Sequence, residues 1–138
     1  MRFPEKEQLL DFAEYIGASD KLVHYLPIIT ETWAEKTEAI VRTVQLATAF
    51  SPPHSNLAHS GADLFYKIIK DHPHIDGNKR TAVMSVVLFF GLNRQRLVFS
   101  FQDMYRLSKS VAESRLPQEQ AVKNLAVLFQ SHLKPLLP

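Results

Sequence analysis

Ala82-Val83-Met84-Ser85-Val86-Val87-Leu88-Phe89-Phe90-Gly91-Leu92 is the stretch that decides the fold of this chain. A helix wound through it is apolar on every side and leaves no face for water. The run is about half of the roughly 20 residues a bilayer crossing requires, and Ser85 and Gly91 interrupt it. It reads as a buried core helix, which other helices must surround.

The flanking sequence supplies those helices. Upstream, Leu9, Phe12, Ala13 and Ile16 share one face and Gly17 is a natural stop. A second helix is expected from about Ala34 to Ala49, with Ile40, Val41, Val44 and Ala47 inward. A third carries a wide stripe of Leu57, Gly61, Leu64, Phe65, Ile68 and Ile69 and ends in Lys70-Asp71-His72-Pro73. Downstream, Leu97, Phe99 and Phe101 alternate with Val98 and Ser100 as a short strand, half of a small hairpin. Met104, Leu107 and Val111 mark a further helix, and Pro117 opens a last one that buries Val122, Leu125, Ala126, Phe129 and Leu133. The expected fold class is all-α, a helical bundle around a central buried helix.

Composition agrees with one domain spanning residues 1–138: 46% of the 138 residues are apolar and 22% charged, which fills one core and is not a disordered composition. The absence of cysteine excludes disulfides, thiolate metal sites and thiol nucleophiles. Met1-Arg2-Phe3-Pro4-Glu5 leads into a charged helical pattern without an apolar signal region, so a cytoplasmic protein is expected, with no membrane partner. Charge is uneven: residues 1–40 carry eight acids and four bases, residues 41–138 six acids and twelve bases. The cationic part suits an anion such as a nucleotide, a nucleic acid or an acidic protein surface, although a modest excess is usually only a solvated face.

Two segments break the helical pattern. Tandem prolines keep Ser51-Pro52-Pro53-His54-Ser55-Asn56 from being helical, so it is an exposed loop or flap. The other, His72-Pro73-His74-Ile75-Asp76-Gly77-Asn78-Lys79-Arg80-Thr81, feeds the N-terminus of the central helix. A helix start carries unpaired N–H groups and partial positive charge, and two cations there, Lys79 and Arg80, oppose that charge unless something negative lies beside them. Phosphate is the natural candidate. Gly77 lets the backbone approach it and Asn78 adds a donor. Asp76 beside a phosphate is a usual way of holding Mg²⁺. His72, mostly neutral at pH 7, suits a general base toward an incoming hydroxyl. Singly, Asp76 is more often an N-cap and a loop histidine structural; together these residues suggest phosphate-group transfer.

This loop resembles the signature of the Fic/Doc (filamentation and death-on-curing) family, H-x-F-x-D/E-G/A-N-x-R ahead of a central helix. The resemblance implies a transferase that moves part of a nucleoside triphosphate, ATP with Mg²⁺, onto a Ser, Thr or Tyr hydroxyl of a target protein. It implies His72 as base, Asp76 as the Mg²⁺ carboxylate, and Gly77, Asn78, Lys79 and Arg80 around the phosphates. It also implies a short β-hairpin flap ahead of the motif, at Phe50 to Ser60 with Ser51, Pro52, Pro53, His54 and Ser55 at its centre, aligning the target by strand addition. His74 replaces the family's usual phenylalanine. Lys79 stands where nucleotidyl-transferring members have a second glycine, and Val83 where they have a second arginine. Both point to the Doc branch, whose toxins share the N-K-R-T run and phosphorylate elongation factor Tu. No Ser or Thr has a Glu four residues on, so the family's internal inhibitory motif is missing and the resemblance implies a separate antitoxin.

Two other readings stay open on the sequence. Asp71, His72, His74 and Asp76 look like a metal-ligand cluster of a hydrolase, although the segment bends at Pro73 and Gly77 and no distant His-rich motif supplies a further ligand. Arg94, Arg96, Arg106, Lys109 and Arg115 suit a non-enzymatic protein or nucleic-acid binder, which accounts for the charge but leaves the loop unexplained.

Overall fold

A computed structural model of the chain describes residues 1–18, 29–50, 56–71 and 77–136. They form six helices and two short strands: α1 (Lys6–Gly17), α2 (Glu31–Phe50), α3 (Leu57–Lys70), α4 (Asn78–Leu92), β1 (Gln95–Leu97), α5 (Phe101–Glu113), α6 (Gln118–His132) and β2 (Leu133–Pro135). The architecture is the all-α bundle expected. Among the described residues no helix is long and apolar enough to cross a membrane.

The centre is a pair of helices. In α4, eight residues from Thr81 to Phe90 are buried, and α3 is covered more completely, with ten of its fourteen residues out of contact with water. The third helix therefore exceeds the stripe its large residues suggest. The further buried positions are Tyr66, which adds its ring to the core, and Ala58, Ser60, Ala62 and Asp63, small or paired groups that a neighbour can cover without a large penalty. Asp63 is buried and meets Lys67 Nζ at 3.2 Å, one turn along the same helix. Around this pair, Val41 and Val44 of α2, Met104 and Val111 of α5, and Val122, Leu125 and Phe129 of α6 complete the main core. Phe129 meets Phe65 and Phe90 edge-on, at ring separations of 5.6 and 5.7 Å.

A second cluster joins α1 to the start of α2 and to α4, through Leu9, Ala13, Ile16, Trp33, Ala34 and Met84. Lys6 ties the two N-terminal helices from outside, its ammonium 2.9 Å from Glu31 Oε1. That hydrogen bond and the charge behind it raise the Lys6 pKa above its ordinary value.

The strand expectation is corrected in place and partner. Pairing covers Gln95–Leu97, and its partner is Leu133–Pro135, antiparallel, with Arg96 opposite Lys134, not an adjacent hairpin arm. Phe101 belongs to α5, because the Ser100 side chain accepts the Asp103 N–H at 3.0 Å and caps a helix there. Leu133, expected inside the last helix, has left it for β2.

Candidate active site at the start of α4

Gly77 opens α4 with φ 82° and ψ 17°, the left-handed region where glycine alone is at ease. Its carbonyl accepts the Thr81 N–H at 2.8 Å and closes the first turn. That turn holds Asn78, Lys79 and Arg80 and has no acidic residue. Asn78 and Lys79 are half-buried, whereas Arg80 is exposed. The four candidate phosphate-binding residues are thus brought together on one turn. Two cations in a first turn that itself contains no acid, at a helix end that favours negative charge, fit an anionic group such as a phosphate.

The helices on either side of residues 72–76 are anchored to distant parts of the chain. On the α3 side, Lys70 Nζ donates to the Ala112 and Ser114 carbonyls, at 3.2 and 2.8 Å, and fastens the end of α3 to the last turn of α5. On the α4 side, Trp33 Nε1 donates to Thr81 Oγ1 at 2.8 Å inside the protein. Sequence reading missed both anchors, since Lys70 and Trp33 reach partners far along the chain and no local spacing announces them. His72 and Asp76, with Pro73, His74 and Ile75 between them, lie outside the described residues.

Ser51, Pro52, Pro53, His54 and Ser55 also lie outside the described residues. The ends of the range Phe50 to Ser60 expected for the flap are helical. Phe50 is the last residue of α2, and Leu57 to Ser60 already form the first turn of α3. The reason is Asn56, whose side-chain oxygen accepts the Ala58 N–H at 2.8 Å and starts the helix. Thr48 Oγ1 and Ser60 Oγ, 2.9 Å apart, tie the two flanking helices together. Of the cluster behind the metal-hydrolase reading only Asp71 is among the described residues; His72, His74 and Asp76 lie outside them. Of the basic row considered for nucleic acid, Arg106 is engaged with Asp103 at 3.5 Å on the surface of α5.

No curated protein matches the chain. A family model does: that of the Fic/DOC family aligns with residues 19–90, more than half of the chain. The aligned part contains α2, α3, residues 72–77 and α4 as far as Phe90, and so includes the turn described above. On the strength of that match, the chain belongs to the Fic/DOC family.

Proposed function

We propose that the chain is a Doc-type protein kinase, passing the γ-phosphoryl group of ATP to a hydroxyl of a target protein, with elongation factor Tu as the first candidate. At the general level, membership of the family makes it a transferase that modifies hydroxyl groups. The observation that supports the finer reading is Lys79, set in the first turn of α4 where the nucleotidyl-transferring members carry glycine. A half-buried lysine there takes up the space and adds a point charge, which favours a nucleotide lying with its γ-phosphate toward the incoming hydroxyl.

In this reading His72 takes the proton of the target hydroxyl, whose oxygen bonds to the γ-phosphorus as the bond to the β-phosphate oxygen breaks and ADP leaves. Asp76 would hold Mg²⁺, which would supply neutralisation of charge on the phosphate oxygens. Gly77, Asn78, Lys79 and Arg80 orient the phosphates and stabilise the charge on the transferring group. The residues 51–55 align the target segment.

The test uses ATP labelled separately at the α- and γ-phosphates, incubated with the protein and purified elongation factor Tu and, in parallel, with a bacterial extract. Label should pass to protein from γ-labelled ATP alone. Transfer of the α-label alone would show nucleotidyl transfer and overturn the kinase reading while leaving the family intact.

A further inference from the structure

Trp33 is the single tryptophan of the chain, and its side chain is 2% exposed. The indole N–H ends on Thr81 Oγ1, 2.8 Å away, and Thr81 is fully buried. Thr81 follows Arg80 directly, and its own N–H closes the first turn of α4 onto Gly77. One residue therefore carries both the amide that closes the cationic turn and the hydroxyl that Trp33 holds.

Trp33 is itself fixed. Its N–H donates to Thr30 Oγ1 at 3.0 Å, and its carbonyl accepts the Thr37 hydroxyl at 2.8 Å. Its ring packs with Leu9, Ala13 and Ile16 of α1 and Met84 of α4. The anchor thus stands in the α1–α2 layer. A rotation of the first turn of α4 would draw Oγ1 away from the indole and leave a buried N–H without its partner, which is costly. Packing alone does not call for that N–H, because a phenylalanine would fill much of the same apolar cluster.

We infer that Trp33 is a positioning residue, which sets the orientation of Lys79 and Arg80 toward the nucleotide through its hydrogen bond to Thr81. This rests on the nucleotide reading above. Linkage runs both ways: phosphates gathered by the turn change the strength of the indole hydrogen bond, and the emission of Trp33 reports their arrival.

ATP with Mg²⁺ is titrated into the wild-type protein and followed by calorimetry and by tryptophan emission. The expected result is an emission change with the calorimetric midpoint. Trp33→Phe and Thr81→Val, each with wild-type helical content by circular dichroism, should weaken the calorimetric Kd by about tenfold, the scale of one lost buried hydrogen bond. Thr81→Ser keeps the acceptor and should stay within about twofold. Folded Trp33→Phe and Thr81→Val proteins that bind with the wild-type Kd would overturn the inference, as would an emission that stays still while heat registers binding. If Thr81→Val does not fold, Trp33→Phe and the wild-type emission titration decide. Absence of any calorimetric binding to the wild type is a different result: it overturns the nucleotide reading and this inference with it.

Discussion

Gly61 of α3 lies so close to Phe90 of α4 that a Cβ built on it would stand 2.3 Å from the Phe90 ring. The ring has no room to yield, being fully buried with Phe89 and Phe129 at 5.4 and 5.7 Å. Gly61→Ala therefore overpacks the contact on which the two central helices meet. Overpacking costs roughly 1–3 kcal/mol, and alanine's better helix propensity returns about 1, so a net loss of up to about 2 kcal/mol is expected. Urea denaturation measures it. The double variant with Phe90→Leu should recover part of the loss, and a single variant as stable as wild type would mean that the helices part easily.

Gly77→Ala forces a side chain into the left-handed region at the mouth of α4. The conformational cost is about 1–2 kcal/mol, visible as a lowered Tm. Unlike Gly61→Ala, this change should also weaken binding of ATP with Mg²⁺ measured by calorimetry, because the strained residue belongs to the turn that receives the phosphates. Equal loss of binding in both variants would mean that affinity merely follows stability.

His72→Ala should reduce target modification by about 10²–10⁴-fold, the range a general base contributes. Far-UV circular dichroism and Tm should not move, since His72 belongs to none of the apolar stripes that build the helices. Activity retained within a few-fold removes the imidazole from the mechanism.

Lys79→Gly restores the residue that nucleotidyl-transferring members of the family carry. The ratio of γ-label to α-label passed to protein should fall. A ratio that holds while total activity drops would assign Lys79 to affinity and not to the choice of phosphate.

In the given sequence no Ser or Thr is followed four residues later by Glu, and the Doc-type reading therefore predicts inhibition by a separate antitoxin. Expression alone should arrest growth of a bacterial host. A co-expressed antitoxin presenting an acidic group to exposed Arg80 should relieve the arrest. Harmless expression of catalytically active protein would count against this regulation.

The central helix was legible because eleven consecutive residues from Ala82 offered no polar face, a local property that holds whatever surrounds it. The turn that opens it was legible for the same reason: Gly77, Asn78, Lys79 and Arg80 are adjacent, and one helical turn keeps neighbours together. The Leu97 to Phe101 alternation misled because a period of two competes poorly with a cap, and Ser100 followed by Asp103 was the better signal. Similarly, Thr30 starts α2 ahead of Ala34 by accepting the Trp33 N–H, a cap that apolar counting passes over. What no spacing could disclose are the long reaches, such as Trp33 to Thr81 and β1 to β2, in which the two partners are set by the packing of everything between them.

The pairing of β1 with β2 bears on how the chain is made. Arg2 exchanges hydrogen bonds with the Asn93 side chain, and the Leu136 N–H donates to the Arg94 carbonyl, so segments from opposite ends meet at the far end of α4, roughly 22 Å from Gly77 at 1.5 Å per helical residue. During synthesis β1 emerges long before Leu133–Pro135, and in that interval its edge is an open template for a strand of another chain. Two features guard it. β1 is only three residues long, and its outward residue Arg96 places a charge on the edge, so the waiting strand is a poor seed for aggregation until its own partner arrives.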